Sequence, residues 1–278
     1  MGSRRRSSIY PLSDVDLAAE SLSSTHSARR DDPILPTFSP LDLFTWASFE
    51  VTMIVCQFAG FAHIFLVSHF YGRIVGGIKY DETPNYHGLF MTYGLVFFNG
   101  EAILAYRFMR NEAKILSKLV HATCHTLAIS FFSAALAQII HQKTLGGNQH
   151  VYTFHSWFGI AIMAAYIIQF LFGLFNYGLP GVPIEVRQAL MPYHRTVGLA
   201  LFGCSVAQVL LGHFSFLYLY RPPLVMSCYA FLDCDTHFDL IFNFSLLTLV
   251  VYALLVMVLV TKDSWKREKT PEELGLID

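Results

Sequence analysis

Six stretches of the chain are nearly free of charge and long enough to cross a bilayer, at about 46–70, 86–106, 119–141, 153–177, 194–218 and 238–261. A spanning helix needs roughly 20 mostly apolar residues. The connections between the runs are short. The pattern predicts an all-α membrane protein with six transmembrane helices over 46–261, the second to fifth forming a central four-helix bundle. The first forty residues differ in kind. "MGSRRRSSIYPLSDVDLAAESLSSTHSARRDDP" is rich in Ser, Arg and Asp and lacks the apolar centre of a signal peptide. It reads as a disordered tail over 1–40. A short polar tail, 262–278, closes the chain.

Composition agrees with this class. Hydrophobic residues make up 54% and charged residues only 14%, against about a quarter charged in soluble domains. The net charge is −1, and no basic stripe, zinc-finger spacing or RNA-binding signature is present, so no nucleic-acid partner is expected. Lys and Arg collect on the cytosolic side of membrane proteins. With the N-terminus inside, 15 of them fall inside and 4 outside: Arg73, Lys79, Lys143 and Arg221. Both termini are therefore expected in the cytosol.

Four histidines stand near the starts of successive runs: His87, His121, His155 and His194. Successive helices run in opposite directions, which places His87 and His155 near the outer face and His121 and His194 near the cytosolic face. Alternate helices of a four-helix bundle sit diagonally across its core. The sequence thus offers one histidine pair near each face, each able to address a shared axis. Neutral imidazole is a common metal ligand, and the arrangement suits two bis-His centres. A flat macrocycle between diagonal helices needs room. Gly94, Gly159 and Gly198 lie on the ligand faces, seven, four and four residues after their histidines, whereas His121 has His125 at that place. There is no C-x-x-C-H, so a haem would be held without thioether bonds. An isolated histidine in such a helix can equally be an interhelical hydrogen-bonding group. That reading suits most of His63, His69, His125, His141, His150 and His213, which lack the alternation.

With "NYHGLFMTYG", "GEAILAYR", "KILSKLVH", "VYTFHSWFG" and "RQALMPYHRTVG" on the page, the chain resembles the cytochrome b561 family, the transmembrane ascorbate-dependent di-haem reductases. The likeness runs from about residue 85 to 212. It implies two non-covalent haem b groups with bis-His ligation, His87 with His155 outside and His121 with His194 inside, the pairing that the topology reached independently. It also implies a homodimer. The chain departs from the family pattern on its outer side. Gly88 stands where Pro usually follows the first ligand, His150 where an Asn is common, and "GHFSF" where a Glu-Lys pair ends the fifth helix. The segment from His141 to His155 is about two residues longer than in close relatives.

Cytosolic ascorbate is an anion. Lys114 and Lys118 lie seven and three residues before His121, nearly on one helix face, and Arg187 lies seven before His194. Arg107 ends the second run on the same side. They are a positive rim beside the inner pair, although cytosolic loop charge alone would also place them there. The resemblance favours ascorbate binding by Lys114, Lys118 and Arg187, with Arg107 serving a haem propionate or the substrate. The electron would leave to an outer acceptor, monodehydroascorbate or a ferric chelate, near Tyr152, Thr153, His141, Lys143 and His150. Glu101, inside the second run, is either a proton-handling group or a carboxylate wetted at the cytosolic rim. Gln138, Gln169 and Gln208 read as helix-packing polar groups. The competing function is a His-lined metal-ion carrier without haem, which would place histidines and carboxylates at the midplane. Cys228 and Cys234 flank a five-residue stretch on the outer side and are expected to be bridged. "EELGLI" near the C-terminus has the form of an endolysosomal sorting signal, which fits an endosomal, lysosomal or secretory-vesicle membrane.

Overall fold

The computed structural model describes residues 40–220 and 238–266. The expectations for the N-terminal tail, for Cys228 and Cys234 and for the sorting sequence lie outside the described residues. The chain divides into two compact units, Met1–Trp46 and Ala47–Asp278, and the description below concerns the second.

Among the described residues, six helices are long and apolar enough to cross a membrane. Helix α1 is Pro40–His69 and continues in a π-helical turn, Phe70–Ile74. Helix α2 runs Asn85–Phe108, α3 Lys114–Leu145 and α4 Phe154–Gly178. Helix α5 is Ile184–Tyr220 and α6 is Phe238–Thr261. Each expected span matches one of them to within a residue or lies inside it, and most of the helices are longer. Hydropathy registers only the apolar part, and a helix does not stop at the membrane surface. Consequently His121 is not at the start of its helix but two turns inside α3, and His194 lies ten residues after the first residue of α5. Their helices begin with polar turns that carry Lys114, Lys118 and Arg187.

Helix α2 packs against α3 and α5, and α4 packs against α5 and α3. Helices α2 and α4 are therefore diagonal, as are α3 and α5, the arrangement that the paired histidines require. Helix α6 lies against α2 and α5. Helix α1 is tied on by polar contacts: His63 Nδ1 lies 2.9 Å from Ser245 O of α6, and Ser68 Oγ lies 3.1 Å from Tyr93 Oη of α2. Phe132, Tyr166, Phe202, Leu95 and Tyr252 fill the interior. Outward residues of α1 such as Phe58 and Phe65 are exposed in the protein alone. In a bilayer that surface meets lipid.

Close helix approach in a membrane depends on small residues, because no hydrophobic drive separates helix from lipid. At Gly94 a Cβ would meet Ala128 O at 2.7 Å and Phe132 N at 3.0 Å, both backbone atoms of α3. Gly94 is thus a packing glycine between α2 and α3, and the expectation that it makes room for a macrocycle is corrected. The Gly94→Ala variant should lose about 1–3 kcal/mol from overpacking, which a lower thermal midpoint in detergent will register.

Helix α2 contains a π-helical turn at Tyr93–Phe98. Such a turn inserts one residue into an α-helix. Its effect on register becomes visible at the histidines.

Candidate functional site: two histidine pairs

The four alternating histidines form two pairs across the bundle. The rings of His87 and His155 are 6.2 Å apart between centroids, and those of His121 and His194 are 6.3 Å apart. Metal–imidazole bonds of about 2 Å, with roughly 1.2 Å from each nitrogen to its ring centre, place two axial rings about 6.4 Å apart. Both gaps fit one metal ion held by opposed imidazoles. All four side chains are part-buried rather than sealed.

At His87 and His121 the Nδ1 atom faces a backbone carbonyl, which keeps the ring proton on Nδ1 and leaves Nε2 for a metal; at His155 and His194 it faces a carboxamide nitrogen. Metal-bound histidines generally use the second nitrogen in this way to fix ring orientation. His87 Nδ1 lies 3.2 Å from Ala135 O of α3. His121 Nδ1 lies 2.7 Å from Ala102 O of α2. On the other two helices the partner is a carboxamide. Gln169 Nε2 donates to His194 O at 2.7 Å and stands 3.0 Å from its Nδ1. Gln208 Nε2 donates to His155 O at 2.7 Å and stands 3.0 Å from its Nδ1.

These contacts expose a repeat. Gln169 follows His155 by 14 residues, Gln208 follows His194 by 14, and Ala135 follows His121 by 14. Ala102 follows His87 by 15, and the extra residue is the one that the π turn of α2 inserts. At a rise of 1.5 Å per residue, 14 residues span about 21 Å. Each helix therefore carries a histidine of one pair and, about 21 Å along, a partner for a histidine of the other pair.

Glycines clear the space around the carboxamide-held rings. A Cβ at Gly173 would meet His194 Cε1 at 3.0 Å, and one at Gly212 would meet His155 Cε1 at 3.0 Å. A Cβ at Gly159 would meet Gln208 Nε2 at 2.7 Å, and one at Gly198 would meet Gln169 Nε2 at 3.6 Å. Gly159 and Gly198 thus make room for a glutamine rather than directly for a macrocycle. Gln169 and Gln208 do more than pack: each contacts a histidine of the two pairs. Gln138 donates instead to Tyr80 O and Thr83 O and fixes the loop before α2. The ring spacing, the carbonyl-facing Nδ1 atoms of His87 and His121 and the glycines at the His155 and His194 rings fit a haem between each pair. Among the described residues no group of three His, Cys, Asp or Glu could hold a bare metal ion.

At the end of the bundle that holds His121 and His194 the basic residues cluster. Lys118 Nζ donates to Tyr177 O at 3.2 Å, and the charges of Lys114 and Arg187 both act on Lys118. Arg187 Nη2 donates to Leu179 O at 3.4 Å. The ring of Tyr177 lies 5.3 Å from that of His194. Tyr177 Oη and Arg187 Nε are buried without a partner. Two polar groups without partners among the described residues, near Lys118 and the His194 ring, suit a small oxygen-rich anion. Tyr177 is a residue that the sequence did not single out. Arg107 is buried, donates from Nη2 to Val260 O at 2.5 Å and leaves Nη1 without a partner. Nearby at the membrane surface, the hydrogen-bonded Lys266 ammonium holds the Asp263 carboxyl below its ordinary range.

The outer residues are less gathered. His141 Nε2 pairs with Asp81 Oδ1 at 3.0 Å, and His150 Nε2 lies 3.2 Å from Thr144 Oγ1. Lys143 Nζ sits 5.1 Å from the centre of the Tyr152 ring, and its charge reaches both His87 and His155. Val151 next to Tyr152 has a φ of 51°, an unfavourable conformation for a β-branched residue. Thr153 is the N-cap of α4, its Oγ1 accepting from Ser156 N at 3.2 Å, so its place in an acceptor site is corrected to a structural one. Thr153→Ala should cost about 1 kcal/mol, readable as a lower thermal midpoint with the absorption spectrum unchanged.

Several other expectations resolve here. Glu101 is part-buried and bonded: it accepts from Gln57 Nε2 at 3.1 and 3.2 Å and from Tyr252 Oη at 2.9 Å, between α1 and α6. Gly88 takes the place of Pro where Tyr71 crowds the backbone, since a Cβ there would collide with the Tyr71 hydroxyl. His125 Nδ1 bonds Tyr166 Oη at 2.5 Å, and His63 and His213 bond backbone carbonyls within the interior. These three take the polar and packing roles expected of them.

Comparison with known proteins comes to the same place. The model of eukaryotic cytochrome b561 matches residues 86–218, the stretch that contains both histidine pairs. A CYB561 homolog of Caenorhabditis elegans, described as a transmembrane ascorbate-dependent reductase, is 30% identical over 82% of this chain and 88% of its own. The transmembrane ascorbate-dependent reductase CYB561 of Ovis aries is 30% identical over 79% of this chain and 85% of its own. The plasma membrane ascorbate-dependent reductase CYBRD1 of Xenopus tropicalis is 32% identical over 68% of this chain and 65% of its own.

Proposed function

The chain belongs to the eukaryotic cytochrome b561 family, and from that premise we propose that it carries electrons from cytosolic ascorbate across a membrane, through two bis-His haem b centres, to monodehydroascorbate or a ferric chelate. The observation that carries this reading is the pair of imidazole gaps, 6.2 and 6.3 Å, at opposite ends of one bundle. Haem, when bound, supplies reversible one-electron chemistry at iron.

The chain's own residues do the rest. His87 and His155 hold the outer group, and His121 and His194 the inner one. Ala135 O, Ala102 O, Gln208 and Gln169 orient those rings. Lys114, Lys118 and Arg187 attract the ascorbate anion, and Tyr177 sets its unpartnered hydroxyl and ring between that anion and His194. Arg107, with one free buried nitrogen, suits a propionate better than a mobile substrate, because its other contact pins it to the end of α6. About 21 Å separates the two sets of ring anchors along α3, a distance that one site alone would bridge poorly. On the outer side Lys143 supplies positive charge beside His87 and His155, while His141, His150 and Tyr152 line the approach for an anionic acceptor. By family resemblance the unit is a homodimer, with both termini in the cytosol.

Vesicles carrying the protein, with ascorbate trapped on the cytosolic side, test the reading. External ferric chelate or monodehydroascorbate should be reduced at a rate that vanishes when ascorbate is left out. Reduction that proceeds equally in protein-free vesicles contradicts it.

A further inference from the structure

Helices α4 and α5 carry the same spacing, His-x3-Gly-x9-Gln-x3-Gly, at His155–Gly159–Gln169–Gly173 and His194–Gly198–Gln208–Gly212. The helices are antiparallel neighbours, so each glutamine reaches the histidine of the other helix. The two contacts have the same geometry: 2.7 Å from Nε2 to the backbone oxygen and 3.0 Å from Nε2 to Nδ1 in both. Gly173 and Gly212 leave no room for a side chain behind either ring. Buried Gln208 Oε1 has no partner.

We infer that Gln169 and Gln208 are positioning residues that tune the two haem centres separately, Gln208 the outer one through His155 and Gln169 the inner one through His194. The inference rests on the haem-ligand reading above. An imidazole that binds iron through Nε2 carries its proton on Nδ1, which then needs an acceptor. For His87 and His121 that acceptor is a backbone carbonyl, which no side-chain substitution removes. For His155 and His194 it is the carboxamide oxygen. As placed, each carboxamide turns its nitrogen toward Nδ1, so a ligating ring would set donor against donor. The amide then turns over and brings Oε1 to Nδ1–H, which for Gln208 also gives a partner to an oxygen that has none. The same turn gives up the Nε2 bond to the backbone oxygen and would leave Oε1 2.7 Å from that acceptor, so the carboxamide also shifts away from the carbonyl as it turns. That oxygen is a helix carbonyl, and the carboxamide is its extra donor.

A stronger acceptor at Nδ1 makes the ligand more basic and stabilises ferric iron; loss of the acceptor does the opposite. Each centre has one ligand fixed by the backbone and one set by a side chain, so its potential can change without disturbing the fold. Gln→Glu and Gln→Met both keep the length of the side chain and change only what faces Nδ1.

The test is a redox titration of the purified holoprotein and of Gln208→Glu, Gln208→Met, Gln169→Glu and Gln169→Met, with low-spin electron paramagnetic resonance and haem content read on each. The outer centre is isolated in a His194→Ala background and the inner one in His155→Ala. Gln208→Glu should lower and Gln208→Met should raise the potential of the outer centre. Each should shift its reduced-to-oxidised ratio about tenfold at fixed poise, about 59 mV for one electron, with the inner centre unmoved. The Gln169 variants should mirror this on the inner centre. No shift, equal shifts in both centres, or Glu and Met moving a centre in the same direction would overturn the inference. Full low-spin haem in His155→Ala and in His194→Ala would instead overturn the ligand reading on which it stands.

Discussion

Alanine at His87 or His155 should remove about half of the bound haem, or turn one low-spin centre high-spin, and leave the other centre's spectrum as in the parent protein. Alanine at His121 or His194 should do the same to the other half. The two rings of each pair stand 6.2 and 6.3 Å apart, and a bis-His site that loses one ring holds its group weakly. A histidine that serves only to pack has no such group to lose. Transmembrane transfer should fail in all four variants, because the route needs both stations in series. The two sides should nevertheless differ. With His121 and His194 intact, cytosolic ascorbate should still reduce the remaining centre quickly, because the basic rim stands beside it. With either of them replaced, reduction by ascorbate should be slow while dithionite still reduces the outer centre. The double variant at His87 and His121 should lose both centres, since it takes one ligand from each. If it behaves like the loss of a single pair, the diagonal pairing is wrong.

The second large effect is expected at the cytosolic rim. Lys118→Ala should raise the ascorbate concentration for half-maximal reduction by about tenfold or more. A hydrogen bond to a charged group is worth roughly 1.5–3 kcal/mol, and about 1.4 kcal/mol is tenfold. Arg187→Ala should act in the same direction, and the double variant should fall further, because the Arg187 charge reaches Lys118 and both would then bear on one bound anion. Added salt should weaken ascorbate reduction in the parent protein and less so in the variants. Dithionite reduction and the absorption spectrum should not change in any of them. Tyr177→Phe removes only the unpartnered hydroxyl and should slow ascorbate reduction without affecting haem content. Variants that reduce with ascorbate as the parent does would return these residues to ordinary cytosolic loop charge.

The apolar runs and the alternation of His87, His121, His155 and His194 were legible because both are periodic, and membrane helices must alternate in direction. Diagonal pairing followed from topology without any side-chain coordinates. The helix ends were not legible. Hydropathy follows lipid, whereas backbone hydrogen bonding carried α3 back to Lys114 and α5 back to Ile184. Gln169 and Gln208 escaped because a glutamine in an apolar helix is chemically generic until its neighbour is known. Their common offset from His155 and His194 is plain in the sequence, but it gains meaning only when the helices are laid antiparallel. The matching offset in α2 is hidden by one residue, since the π turn at Tyr93–Phe98 shifts the register. Glycines near the histidines were rightly noticed for the space they leave. What fills that space was not legible: a carboxamide at Gly159 and Gly198 and a neighbouring backbone at Gly94. The placement of Glu101 depended on Gln57 and Tyr252, which lie 44 and 151 residues away in the chain.

The most direct measurement is the amount and kind of haem per chain. Purified holoprotein should contain two non-covalent haem b groups per polypeptide by acid–acetone extraction and pyridine haemochrome assay. Both should be low-spin and six-coordinate by electron paramagnetic resonance, and ascorbate should reduce them. A single haem per chain, high-spin iron in the parent protein, or colourless protein with bound zinc would contradict two bis-His centres.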